Sequence, residues 1–152
     1  MEIFESGYAA VLVGYIFIFL RDHRLGRVFG ADAAIRLFPG SVRIPDVSFI
    51  SWERLPRDKA PLPDLVPDLA VELLNELNTR KEMERKLNDY LHAGVRLVWY
   101  VDPATRSAKV YSAGGVRELT EADDLDGGDV LPGFRLRLAD WLAEAERTGP
   151  RG

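Results

Sequence analysis

Pro67-Asp68-Leu69-Ala70-Val71-Glu72-Leu73-Leu74 is the stretch on which the fold turns. Leu69 to Leu74 is a short apolar run bounded by Pro67 and Asn75, which is the length and punctuation of a buried strand. Downstream, Asn78-Thr79 can cap a helix running to about His92, with Met83, Leu87, Tyr90 and Leu91 on one apolar face. Gly94 suits the stop of that helix. Val95 to Val101 follows as a strongly apolar strand closed by Asp102-Pro103, and Ala108 to Ser112 pairs with it across the turn at Pro103 to Arg106. Strand, helix and strand in succession predict a βαβ crossover within a mixed sheet, hence a fold of the α/β (α+β) class.

Upstream, Ser41 to Ile50 reads as a strand, and Arg27 to Phe38 lies in a strand-like context. Pro39-Gly40 between them predicts a hairpin. Ala9, Leu12, Val13, Ile16, Phe19 and Leu20 recur at helical spacing, so Tyr8 to His23 is expected to form a helix stopped by Gly26. Glu53 to Pro67, rich in Pro, Asp and Lys, reads as a surface loop. Toward the end, Val130 to Leu138 reads as strand or loop and Ala139 to Arg147 as a short helix. The expected organisation is one domain over residues 1–147 and a frayed tail over 148–152.

Glu72 is the odd residue of the decisive run, a carboxylate inside an apolar strand. Burying it is costly unless it is paired or bound to a metal. Asp46 is the matching oddity within Ile44 to Ile50. If the two strands are neighbours, about 4.8 Å apart, both carboxylates can meet at one end of the sheet. Converging carboxylates suit Mg²⁺ or Mn²⁺, which activate water and neutralise phosphodiester charge. A structural ion pair explains the same residues, and that alternative stays open. Lys86 sits three residues after Met83 and four before Tyr90, beside the apolar stripe, from where its amine can reach a polar site. An ordinary charged helix face explains it equally. Asp64 and Asp68 follow prolines and read as turn or cap residues.

Composition narrows the function classes. The chain has 152 residues, 47% hydrophobic, with a net charge of -4. That balance argues against indiscriminate coating of nucleic acid, though not against a local basic cleft. With no cysteine there is no disulfide, thiolate nucleophile or Cys-based zinc site, which is compatible with a reducing cytoplasm. The apolar run Ala9 to Leu20 is shorter than the roughly 20 residues of a membrane span, so a buried core helix and no membrane partner are expected. His23 and His92 sit at helix ends, where they suit the dipole. Trp52, Trp99 and Trp141 read as core or rim aromatics. Arg54, Arg57 and Lys59 in the Pro-rich loop either touch phosphate or solvate the loop beside Asp58 and Asp64. Gly114-Gly115 is a hairpin signal; no Gly-rich phosphate loop or nucleophile elbow can be built.

Three segments in order carry a resemblance: Pro67 to Leu74, Lys86-Leu87-Asn88-Asp89-Tyr90, and Gly94-Val95 with Trp99-Tyr100-Val101-Asp102-Pro103. With Ile44-Pro45-Asp46-Val47 upstream, they are similar to the Uma2 family, within the PD-(D/E)xK nuclease superfamily. The resemblance spans roughly Gly26 to Trp141. It implies a restriction endonuclease-like fold, a mixed central sheet flanked by helices. It further implies a Mg²⁺- or Mn²⁺-dependent endonuclease acting on DNA, or else an inactive nuclease-fold module that binds or dimerises; homodimers are common for this fold. Asp46, Glu72 and the backbone carbonyl of Leu73 would hold the metal. Lys86 would replace the lysine that follows the glutamate on its own strand, where this chain has Leu74. Asn75 stands where relatives often carry Ser, and Met83 where they carry a polar or acidic residue. Relatives also carry an acidic residue on an N-terminal segment near the site; against them this chain is expected to begin late, and the sequence assigns neither Glu2 nor Glu5 to that role.

Overall fold

The computed structural model describes residues 2–150. Its centre is a six-stranded mixed sheet in the order β1-β4-β5-β6-β7-β8. These strands are β1 (Gly26–Phe29), β4 (Val47–Ser51), β5 (Leu69–Leu73), β6 (Leu97–Asp102), β7 (Ser107–Ser112) and β8 (Gly115–Thr120). Only β5 and β6 run parallel, with Val71 opposite Trp99 and Glu72 opposite Tyr100. Helix α2 (Arg80–Ala93) makes the crossover between them. The expected mixed α+β architecture is therefore the one observed.

Local chemistry fixes α2. The Thr79 hydroxyl accepts the Glu82 N–H at 3.1 Å, and Gly94 closes the helix in the left-handed region at φ 103°. Helix α1 (Ile3–Asp22) and helix α3 (Leu138–Ala145) cover the other face of the sheet. Ala9, Leu12, Ile16 and Leu20 of α1 join Val47, Phe49, Val71, Trp99 and Trp141 in one core. Ala70, Val98 and Tyr100, facing the opposite way on their strands, pack with Met83 and Tyr90 of α2. That alternation is the period-2 consequence of a sheet buried on both faces.

Several expectations shift. Arg27 to Phe38 is not one strand paired with Ser41 to Ile50. A turn at Gly30–Ala33, with Asp32 at φ 66°, splits it into β1 and β2 (Ile35–Phe38). β1 pairs with β4 in the main sheet, whereas β2 pairs with β3 (Ser41–Arg43) across Pro39-Gly40 and, through Arg36, makes a single parallel bridge to Asp64. Pro45, which has no N–H to donate, separates β3 from β4. β8 completes the hairpin signalled at Gly114-Gly115, and the Val130 to Leu138 stretch contributes β10 (Arg135–Arg137), paired with β9 (Asp124–Asp126). Residues 148–150 form no helix or strand; residue 1 and residues 151–152 of the expected domain and tail lie outside the described residues.

Helix α1 starts five residues earlier than expected, where Glu2 and Glu5 form a capping box. At 20 residues it is long and apolar enough to cross a membrane by length and composition alone. Only one of its faces is buried, so the expectation of a core helix holds for that face alone. Trp99 and Trp141 are core residues, while Trp52 lies at the rim with its indole N–H on the Arg24 carbonyl.

Asp68 is not a turn cap. It is buried, accepts the Ser51 N–H at 2.7 Å, and lies 3.4 Å from Arg54 and 3.5 Å from Arg96. Arg54 also donates to the Pro67 and Gly94 carbonyls, so it staples the loop to the start of β5 and is committed to structure. Removing a buried partner leaves charges and donors unmatched. Asp68→Ala is expected to lower unfolding stability by about 3 kcal/mol, read from urea denaturation, because two half-exposed arginines and one amide lose their acceptor.

Candidate active site

The parallel strands end where β5 runs out at Leu73. Two residues further on, Asn75 bonds to Asn78 and turns the chain toward α2. Pro45 interrupts the antiparallel neighbour at this end, and the residue after it makes up the lost ladder bond. The Asp46 N–H donates to the Val71 carbonyl at 3.1 Å, and the Asp46 Oδ2 accepts the Leu73 N–H at 2.7 Å. Asp46 thus grips β5 on both sides of Glu72. Within a strand one residue's N–H and C=O point to the same edge, so the Leu73 carbonyl faces the Asp46 edge too.

Glu72 is 4% exposed and points to the α2 side of the sheet. Its Oε1 accepts the Tyr90 hydroxyl at 2.6 Å, and its Oε2 lies 3.5 Å from the Lys86 ammonium. Lys86 and Tyr90 are four residues apart, so one helix face presents both to the same carboxylate. Asp46, Glu72 and Lys86, picked from the sequence as one constellation, are brought together. Tyr90 was assigned only to the apolar stripe. Its four-residue spacing from Lys86 was the available signal for a polar role.

A third carboxylate arrives from α1. Glu5 accepts the Asn75 side-chain amide, and its charge is among those felt by Asp46. Of the two acidic residues that the sequence left unassigned, Glu5 is the one whose side chain approaches this end of β5. Its approach depends on how α1 lies on the sheet, which local spacing cannot report. On the other flank, Asp89 takes hydrogen bonds from Ser41, at 3.0 Å, and from Arg43, docking the β2–β3 hairpin onto α2 beside Tyr90.

The electrostatics follow from burial. Loss of solvent raises the Asp46 carboxyl; the Leu73 N–H and Lys86 oppose that rise, and Glu5 adds to it. Burial lifts Glu72 to about 7, against the pull of Lys86 and the Tyr90 hydroxyl and with the push of Asp46. The Tyr90 phenol is raised in turn by burial and by the Glu72 charge. Asp46 and Glu72, the latter raised in part by the charge of the former, and a strand carbonyl at the same end of the sheet are hard oxygen donors of the kind Mg²⁺ and Mn²⁺ select. Among the described residues no three Asp, Glu or His side chains gather into a cage for an ion. Mg²⁺ does not require one, since it commonly binds through one or two carboxylates and keeps several waters. The donor chemistry fits such an ion.

Comparison with known proteins agrees with this architecture. A family model described as "Uma2: Putative restriction endonuclease" matches residues 4–139. The crystal structure of "a putative nuclease belonging to DUF820 from Anabaena variabilis ATCC 29413" superposes with a TM-score of 0.83. The match covers 95% of this chain and 83% of that one at 20% identity, a likeness of fold. No curated protein matches the chain.

A carboxyl raised from 4.5 to about 7 binds its proton more tightly in the folded state than in the unfolded chain. The associated stability is fully present below about pH 4.5 and is lost as pH climbs through about 7, a total of about 3 kcal/mol. Urea unfolding of the metal-free protein between about pH 5 and about pH 8 should show that decline. Glu72→Gln should flatten this part of the curve. Tyr90→Phe, which deletes a hydrogen bond to the ionised form, should extend the decline to higher pH.

Proposed function

The chain belongs to the Uma2 family, and from that premise we propose that it is a divalent-metal-dependent endonuclease hydrolysing phosphodiester bonds in DNA. The observation that carries the reading is the buried Glu72 between Lys86 and Asp46 at the open end of β5. A desolvated carboxylate is a poor structural choice for a central strand unless it has work to do.

In this reading Asp46, Glu72 and the Leu73 carbonyl hold Mg²⁺ or Mn²⁺. The ion supplies Lewis-acid neutralisation of the phosphodiester and makes water easier to deprotonate. The Asp46 carboxylate, pinned by the Leu73 N–H through Oδ2, keeps Oδ1 as the oxygen offered to the ion. Tyr90 holds Oε1 of Glu72 and so sets the rotation of its carboxylate. Lys86, with its stem along the apolar face of α2, stabilises the negative charge that builds on the phosphate oxygens. Glu5 adds a further acidic group on the Asp46 side, suited to orient water. Without cysteine, such an enzyme suits a reducing cytoplasm.

A second reading rests on one observation: both Glu72 oxygens already have partners inside the protein. An inactive nuclease-fold module that binds or dimerises would keep that arrangement for stability alone. Calorimetric titration of Mg²⁺ and Mn²⁺, followed by plasmid cleavage with Mn²⁺, separates the two. The nuclease reading expects metal binding and cleavage in the wild type. Asp46→Ala and Glu72→Ala should lower cleavage by about 100-fold or more and abolish specific metal binding. Lys86→Ala should retain metal binding and lose most cleavage. A wild type that neither binds metal nor cuts DNA, yet is fully folded, would leave the module reading in its place.

A further inference from the structure

Helix α1 has two apolar faces and the fold uses one. Ala9, Leu12, Ile16 and Leu20 face the core. On the opposite side stand Ile3, Phe4, Gly7, Ala10, Gly14, Phe17 and Ile18, with Val11 at its border and partly buried against the core; Phe4 is 83% exposed and Ile18 62%. Successive positions turn by about 100°, which puts Gly7 and Gly14 at the centre of this outer face and the large residues toward its two ends. A helix apolar all round is normally covered all round.

The glycines need explaining. Glycine inside a helix is unfavourable relative to alanine. A side chain at Gly7 or Gly14 would meet nothing within 4 Å, so no packing within this chain requires their smallness. Close approach of another backbone does require it.

The order of residues states which backbone. Read from either end, the outer face is the same pattern: Ile3-Phe4, then Gly7, then Ala10-Val11, then Gly14, then Phe17-Ile18. Every pair is symmetric about the point midway between Ala10 and Val11. A two-fold interface must be self-complementary, and an antiparallel helix pair centred on that point matches Ile3 to Ile18, Phe4 to Phe17 and Gly7 to Gly14. Antiparallel pairing opposes the two helix dipoles favourably. We propose that this face of α1 is the interface of an antiparallel homodimer, two copies of the chain meeting α1 to α1. The inference stands apart from the nuclease reading and needs no metal. A lipid surface would also take an apolar helix, but it would select neither the central glycines nor the two-fold order.

The test is register-specific, helped by the absence of native cysteine. Sedimentation equilibrium in detergent-free buffer should give twice the chain mass. Ile18→Glu and Gly14→Leu should each raise the dimer dissociation constant by about 100-fold or more while circular dichroism still reports a folded protein. Mild oxidation should cross-link Ala10→Cys into a dimer, because position 10 sits at the two-fold axis. Phe4→Cys should not cross-link, because its counterpart lies about 20 Å away along the helix. Phe4→Cys combined with Phe17→Cys should. A monomeric wild type overturns the proposal, including one that floats with phosphatidylcholine–phosphatidylglycerol vesicles. So does cross-linking of Phe4→Cys alone, the signature of parallel pairing, or a dimer indifferent to both outer-face substitutions.

Discussion

One buried carboxylate organises this end of the molecule. Glu72 sits in the middle layer of a three-layer fold, where an ionised group has almost no water to solvate it. The Tyr90 hydroxyl and the Lys86 ammonium replace that water, and both come from α2. The βαβ crossover is what brings α2 over β5, so the topology and the polar cluster are mutually dependent. The solvation is incomplete: Glu72 still holds its proton to about pH 7, and a carboxylate left so poorly compensated is the kind that a cation stabilises.

Asp46 shows how a chain break becomes a site. Pro45 cannot donate to the ladder, and the strand restarts at Val47. The Leu73 N–H would otherwise lack an acceptor at the sheet's end, and the Asp46 carboxylate supplies one. The same bond that completes the backbone's hydrogen bonding fixes the position of the acidic group. Asp68, at the other end of β5, does comparable work without any chemistry, tying Arg54, Arg96 and the Ser51 amide to the strand's entrance. Two Pro-Asp pairs therefore have different uses, decided by what lies opposite each.

Much of this was legible in the chain. The apolar run around Glu72, the cap at Thr79, the Gly94 stop and the next apolar run together specify strand, helix and strand through local rules of propensity, capping and periodicity. Asp46 and Glu72 stand out because each breaks the pattern around it, and Lys86 is marked only by its place beside the apolar stripe of its helix. What could not be read locally depends on partners distant in sequence. Arg27 to Phe38 has uniform strand character; only its choice of partners, β4 for one half and β3 for the other, divides it. Glu5 reaches Asn75 across 70 residues of chain, and Arg54 reaches Gly94 across 40.

The sequence by itself determined the class of fold, the two parallel strands and their crossover, and the identity of the two carboxylates that do not belong in apolar strands. It determined too that α1 would be apolar, since composition and periodicity act over a few residues and need no partner. Tertiary structure alone decided that Tyr90 and not solvent meets Glu72, that Asp68 is buried, and that just one face of α1 is covered. Those outcomes depend on which surfaces the packed sheet and helices exclude from water, and exclusion from water is a property of the assembled layers, set by contacts between segments far apart in the chain.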